Sequence, residues 1–339
     1  MREIDGSFGE GGGQILRTSL ALSLVTRTPF RMLNIRVKRA KPGLRRQHLT
    51  AVRAASRIGN GKVEGDAVNS TSLTFYPGEV AGGHYEFDVG SAGSTTLVFQ
   101  TVLPALLLCR QPSTVTFRGG THNHGGPPWE FLDEVFLPVL ARMGAKVNIL
   151  LARHGFAPAG GGEWAAEIVP SKLHPLELRE RGERRTGTVR AIVSNLPASI
   201  AERELEVVRA KLQWPARAFK AETVQSDGPG NIVMIHGVFS HVPELATGFG
   251  QRGVPAETVA SDAVERWSLY EESGAAVGEH LADQLLLPFA LAGGGSFTTL
   301  NPTLHTRTNM DTIRRFLPVQ FEIAPGRNHT WVISLGRED

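Results

Sequence analysis

The chain of 339 residues is 41% hydrophobic and 20% charged, an ordinary globular balance with enough material for about two domains and a sizeable core. Lys and Arg (36) barely outnumber Asp and Glu (33), so the formal charge of +3 leaves any affinity for nucleic acid to local clusters. A single cysteine, Cys109, excludes an intramolecular disulfide and a cysteine-based zinc site; neither the charged start MREIDGSFGE nor the interrupted run LVFQTVLPALLLC reads as a leader or membrane span, so a reducing, cytoplasmic setting is expected.

In chain order, one succession of elements recurs. The first unit opens with FGEGGGQILRTSLALS and predicts a helix over Gln14–Thr26, a strand in FRMLNIRV, a basic loop, a helix over Gln47–Ile58, and strands at GKVEG and SLTFYP. The second runs from VGSAGS through a helix over Thr95–Cys109, strand STVTF, loop RGGTHNHGGPP, a helix over Trp129–Met143, and strands AKVNILL and EWAAEIV. The third begins at AAVGEH, with a helix over His280–Ala292, strand GSFTTL, loop NPTLHTRTN, a helix over Met310–Phe316, and strands VQFEIA and TWVISL. Gln100-x-x-Leu103-Pro104 and Gln284-x-x-Leu287-Pro288 sit in matching helices, which argues for repetition over coincidence. Helices layered on one sheet per unit predict an α/β (α+β) fold with a large domain of three repeated units.

Between the second and third units about ninety residues break the pattern. They read as a smaller α/β domain: residues 1–177 and 275–339 form the large domain and residues 178–274 the insertion. Within it, Ser199-x-x-Glu202 predicts a capping box ahead of the helix IAERELEVVRAKL, and a second helix is expected over Glu257–Tyr270. The charged run Arg179–Arg185 reads as a solvated linker or an RNA-contacting patch.

Polar residues gather in loops at matching places of the units. In the opening loop, glycines let backbone N–H groups approach an anion and the following helix N-terminus adds a favourable dipole, so the loop suits phosphate; a plain strand-to-helix turn is the other reading. It is not a Walker loop, since Gly12 and Gly13 stand where Lys and Ser/Thr belong, nor a dinucleotide fingerprint, since Gln14 replaces the third glycine. RVKRAKPGLRRQH brings Arg36, Arg39, Gln47 and His48 to a helix start and suits one terminal phosphate, there being no aromatic ladder for a long single strand. In the second unit His122-x-His124 offers half a metal site with no other evident ligand. Pro127, Pro128 and Phe131 offer either an apolar wall beside a base or packing of the helix start. In the third, His305 stands beside hydroxyls and Arg307; a neutral imidazole is a good nucleophile toward phosphorus, and basic neighbours favour that form. His280, Asp283 and Gln284 read as nucleotide contacts or as a polar helix start.

The blocks DGSFGEGGGQILR, RAKPGLRRQHLTAV, GSAGSTTLVFQTVLPALL, RHGFAPAGGG, VGEHLADQLLLPFALAGGG and LHTRTN, in this order over essentially the whole chain, resemble the RNA 3′-terminal phosphate cyclases. The resemblance implies three repeats, each like the C-terminal domain of a bacterial translation initiation factor, with a smaller domain inserted before the third. It implies conversion of an RNA 3′-phosphate into a 2′,3′-cyclic phosphate, with ATP becoming AMP and pyrophosphate. His305 would attack the α-phosphorus, AMP would pass to the RNA phosphate, and the neighbouring 2′-OH would close the ring and expel it. By motif, Glu10 would hold Mg²⁺ or Mn²⁺ against the ATP phosphates. Arg17, Arg36, Arg39, Gln47 and His48 would take the RNA-end phosphate. Gln100, Asp283 and Gln284 would contact the nucleotide, with Pro127, Phe131 and His280 along the adenosine pocket. Two places depart from the pattern: His280, where relatives carry Tyr, and the His122–His124 loop, commonly TDNP-like. The alternatives are a non-catalytic, ribosome-biogenesis branch of the same family, against which His305 speaks, and a transferase acting on a small phosphorylated substrate.

Overall fold

The computed structural model describes residues 1–337. The first sheet comprises β1 (Arg2–Asp5), β2 (Phe30–Leu33), β3 (Lys62–Glu64) and β4 (Leu73–Tyr76), with α1 (Gly13–Thr26) and α2 (Arg46–Ile58) between its strands. The second comprises β5 (His84–Asp88), β6 (Ser113–Gly119), β7 (Lys146–Arg153) and β8 (Gly162–Val169). Its helices are α3 (Thr95–Leu108) and α4 (Trp129–Phe131), which runs through a π-helical turn at Leu132–Phe136 into α5 (Leu137–Arg142). Then follow β9 (Glu177–Leu178), β10 (Arg184–Ser194), α6 (Ser199–Leu212), β11 (Phe219–Thr223), β12 (Gly230–Phe239), β13 (Pro243–Phe249) and α7 (Ala256–Ser273). The chain closes with α8 (Glu279–Ala292), β14 (Gly295–Thr299), α9 (Leu304–Arg314), β15 (Val319–Pro325) and β16 (Trp331–Arg337).

Three sheets of this mixed α/β fold share one pairing pattern: β1 parallel to β2, then β4 and β3 antiparallel; β5 parallel to β6, then β8 and β7; β9 parallel to β14, then β16 and β15. A parallel pair needs a crossover, and the helix leading into the second strand is α1, α3 or α8 in turn. The third sheet takes its first strand, β9, from ahead of residues 179–274. Helices α1 and α3 are apolar on nearly every face and are correspondingly buried, α1 packing on α3 and α9, and α8 on α9. Under α3, Phe117 and Trp164 stack at 4.5 Å while Phe99 meets both edge-on, and the indole N–H donates to Thr95 Oγ1 at 2.8 Å. None of the described helices is long and apolar enough to cross a membrane.

Residues 184–273 build a fourth sheet, ordered β11-β10-β12-β13, with α6 and α7 on one face. Strand alternation sends Val189, Ala191, Val193, Val233 and Ile235 into a separate apolar cluster around Trp267, and Ile192, Ile232 and Met234 to the opposite face, against the main core. On that side Glu134 of the π-helical turn accepts Arg190 Nη2 at 2.5 Å and lies 3.2 Å from His236 Nδ1. The charged run is no free linker: Arg181 lies over Phe239 and Tyr270 at 5.1 and 4.9 Å, and Arg184 lies over Trp214 while pairing with Glu271 at 2.7 Å. The expected capping box is not formed, because Ala198 already takes helical geometry as N-cap and Ser199 falls inside the helix. The strand expected over FRMLNIRV stops at Leu33, where Asn34 and Arg36 turn to left-handed φ values of 55° and 54°.

Candidate active site

The glycine-rich loop joins β1 to α1. Gly9 and Gly11 take left-handed φ values of 54° and 63°, and a Cβ on Gly9 would strike Thr308 of α9. That close approach lets Thr308 Oγ1 accept the Glu10 N–H at 3.0 Å. The Glu10 carboxylate, 8% exposed, accepts the Gly12 N–H at 2.7 Å through Oε2 and is ion-paired with Arg39 through Oε1.

His305 lies in the first turn of α9 and not in a loop. The helix starts at Leu304, ahead of the expected Met310, because Thr303 caps it by accepting the Thr306 N–H at 3.2 Å. His305 Nδ1 is 2.9 Å from Gln14 Oε1, and Gln14 Nε2 donates to both Asp283 oxygens at 2.6 and 2.5 Å. Asp283 also accepts from Asn309 Nδ2 at 3.1 Å, and Thr18 Oγ1 donates to Asn309 Oδ1 at 2.8 Å. An ionised carboxylate only accepts, so it fixes the Gln14 amide with its oxygen toward the histidine; Nδ1 then carries the proton and Nε2 keeps its lone pair. Nε2 lies 3.7 Å from Glu10 Oε1, beyond hydrogen-bond reach. Burial holds His305 below the usual imidazole range, with Asp283 opposing and the Arg39 and Arg17 charges adding to the shift. Burial also raises Asp283, against its hydrogen bond from Gln14. The result is a neutral imidazole, 55% exposed, with one nitrogen anchored and the other free to attack.

Arg17 and His48 meet at the start of α1, where a Cβ on Gly13 would collide with His48 Nε2 and crowd Arg17 Nη1. His48 Nδ1 accepts the Arg45 N–H at 3.1 Å, so Nε2 bears the hydrogen; burial and the Arg17, Arg36 and Arg45 charges push its pKa down to about 3. Arg17 has no hydrogen bond or ion pair among the described residues, and burial draws its guanidinium down to about 10. An unpaired guanidinium and an imidazole N–H at a helix N-terminus are suited to hold an anion. The other phosphate candidates are engaged elsewhere. Arg36 Nη1 donates to the Lys41 and Gly43 carbonyls at 2.9 and 2.8 Å, Arg39 sits on Glu10, and Gln47 Oε1 accepts the Ser94 N–H at 3.0 Å.

Gln100 and Gln284 hydrogen-bond across the contact of α3 with α8, on the wall of a cavity of about 110 Å³ that Thr18 and Asp283 also line. His280 is 61% exposed beside Glu279. Its helix is held from behind by the buried Glu244 of β13, which accepts the Gly278 and Leu245 N–H groups at 2.6 and 3.0 Å; burial pushes this carboxyl up to about 7. Pro127 is partly buried, its carbonyl accepting the Thr96 hydroxyl at 2.8 Å, while Phe131 is 3% exposed in the main core and serves the packing of its helix start.

The structure does not bring His122 and His124 to one centre. His122 is buried, with Nδ1 2.7 Å from Thr121 Oγ1 and Nε2 2.7 Å from Glu130 Oε2, and the His154 ring stacks on it at 5.1 Å. Ligand atoms of His122, Glu130 and His154 fall within 4.8 Å of one another, whereas His124 stands edge-on to Phe249 at 6.1 Å. Gln14, Thr18 and Asn309 are site residues that sequence reasoning missed. The available signal was helical phase, which puts Gln14 and Thr18 of α1 at the places His280 and Gln284 hold in α8.

A family model described as RNA 3′-terminal phosphate cyclase matches residues 8–323. Among curated relatives, the RNA 3′-terminal phosphate cyclase of Ectopseudomonas mendocina is 51% identical over 94% of this chain and 93% of its own. That of Ralstonia nicotianae is 49% identical over 96% and 94%, and that of Salmonella agona 46% identical over 97% and 96%. Among solved structures, the enolpyruvyl transferase NikO from Streptomyces tendae aligns with 98% of this chain and 47% of its own at 13% identity and a TM-score of 0.38. With a family model spanning nearly its whole length and relatives at about half identity end to end, the chain belongs to the RNA 3′-terminal phosphate cyclase family.

Proposed function

We propose that this protein uses ATP to convert an RNA 3′-terminal phosphate into a 2′,3′-cyclic phosphate, with His305 carrying AMP between the two substrates. The chain from His305 through Gln14 to Asp283 supports this reading best, because it leaves Nε2 of a neutral imidazole free. Nε2 attacks the α-phosphorus as the bond to pyrophosphate breaks. An oxygen of the RNA 3′-phosphate then attacks the same phosphorus and the histidine leaves. The 2′-OH finally attacks the activated 3′-phosphorus and expels AMP; a well-oriented neighbour reaches an effective molarity on the order of 10⁵ M.

In this reading Arg17 and His48 Nε2–H hold the RNA-end phosphate, Arg39 joins them from its place on Glu10, and Arg36 and Gln47 keep loop and helix in position. Gln100, His280, Asp283 and Gln284 flank the nucleotide, with Pro127 beside the adenosine and Phe131 packed behind it. Glu10 fits a divalent ion: it is a nearly buried carboxylate next to the attacking nitrogen, and its charge is balanced by a partly exposed arginine. Mg²⁺ or Mn²⁺ there would offset phosphate charge. Residues 1–177 and 275–339 form the chemical body and residues 178–274 an inserted domain, a division that the separate cluster around Trp267 supports, with the boundary shifted past Leu178, which pairs with Phe297 in the third sheet.

The test is incubation with Mg²⁺ and ATP labelled at the α-phosphate, scoring acid-labile label on denatured protein. Wild type should be labelled, and His305→Ala should lose the label by more than about a thousandfold. A folded, nucleotide-binding wild type that takes no label would overturn the mechanism and return the protein to the non-catalytic branch.

A further inference from the structure

A cleft of about 800 Å³, larger than the cavity between α1, α3 and α8, opens between the second sheet's loops and residues 196–256. One wall is His124 with Phe156 to Pro158; the other is Asn231, Phe249, and the exposed loop Gln251, Arg252 and Gly253. Its lining contains Arg203 and Arg252 and no carboxylate. Arg203 is engaged, its guanidinium meeting both Glu257 oxygens at 2.7 Å, whereas Arg252 has no partner among the described residues. The His124 and Phe249 rings stand edge to face at 6.1 Å across the two walls. An unpaired arginine and two aromatic rings lining one cleft of nucleotide size are the chemistry that takes single-stranded nucleic acid through base stacking and phosphate contact.

The cleft is also tied to the RNA-end pocket. Gln47 holds the Ser94 N–H at 3.0 Å, Ser94 bridges to Gly120, and the Asn123 amide donates to the Ala92 carbonyl. The loop that carries His124 is therefore stitched to the segment that Gln47 grips, one residue from His48. We propose that this cleft binds the single-stranded nucleotides upstream of the two that end in the RNA 3′-phosphate, with a base against Phe249 and His124 and a backbone phosphate on Arg252. The inference rests on the cyclase reading and extends it to residues 196–256, which take no part in the chemistry above.

The test uses the full-length protein with a dinucleotide and a ten-nucleotide RNA, each bearing a 3′-phosphate. Binding is read by fluorescence anisotropy over a salt series, alongside His305 labelling from ATP. Phe249→Ala should weaken the ten-nucleotide RNA at least about fivefold, with Phe249→Tyr restoring it. Arg252→Ala, on an exposed loop, should lower the slope of log affinity against log salt by about 0.7 for that RNA. Dinucleotide binding and His305 labelling should stay at wild-type levels in both variants. Wild-type labelling together with unchanged ten-nucleotide affinity in both variants would overturn the inference alone and leave the cleft to a protein partner. Equal losses for dinucleotide and ten-nucleotide RNA would overturn it as well. Absence of labelling in wild type would instead remove the cyclase reading on which it rests.

Discussion

At the second and fifth positions of α1 stand Gln14 and Arg17; at those of α8, His280 and Asp283; at those of α3, Thr96 and Phe99. The three helices enter equivalent places in their sheets, yet only α3 commits its fifth position to the core, where Phe99 packs fully buried between Phe117 and Trp164. In α1 and α8 that position carries opposite charges, and α9 adds His305 beside them. The N-termini differ as well: neutral Gln47 holds the Ser94 N–H of α3, while the carboxyl of Glu244 holds the Gly278 N–H of α8. At this one position the frame buries an aromatic ring in the second unit and sets charged side chains near His305 where the first and third units meet.

The sharpest way to break that division is to empty the same position in both helices. Phe99→Ala should cost about 3–5 kcal/mol in denaturant melts while AMP labelling per folded molecule stays within about twofold of wild type. Asp283→Asn should reverse the balance, melting near wild type but labelling about a hundredfold more slowly, because Gln14 loses its anchor and His305 its orientation. Asp283 opposes the downward shift of His305, so the acidic limb of the labelling rate should also move to lower pH in that variant. If Phe99→Ala slowed labelling of folded protein as much as Asp283→Asn does, the two helices could not be assigned separate duties.

A smaller effect separates the two helix anchors. Burial raises Glu244 to about 7 from its ordinary 4.5, so between those values the folded protein keeps a proton that the unfolded chain has lost. Stability from this group therefore falls as pH rises through that window, by at most about 1.4 kcal/mol per pH unit. Glu244→Gln removes the titration, and the difference in Tm, variant minus wild type, should climb from pH 5 to pH 7 and then level. Gln47→Ala, with no titrating group at the equivalent anchor, should give a flat difference across the same range.

The helices and the later strands of each unit were legible in the sequence because long apolar segments and clean alternation carry their own periodicity. Strands β1, β5 and β9 were not: REID, HYEFD and EL are short and mostly solvent-facing, so no pattern of burial marks them. The start of α9 was hidden because LHTRTN is polar, and the cap at Thr303 that defines it depends on a bond no spacing rule reveals. His305, Glu10, Arg17 and Asp283 were legible as candidates, from residue chemistry and motif. Gln14 was not, since its importance lies in touching two residues about 270 and 290 positions away. For the same reason Arg39 and Glu10, foreseen in separate roles, were not foreseen as partners.

The sheet of residues 184–249 is apolar on both faces, one covered by its own helices and the other by the main core, with Glu134 meeting Arg190 and His236 at the seam. For anyone shortening this protein, the segment is consequently no detachable ornament. Splicing it out would bare the apolar seat of Ile192, Ile232 and Met234 and strand Glu134 without its arginine. It would also remove Glu244 from the base of α8. A minimal version would have to repaint that seat with polar residues and supply a new cap for Gly278.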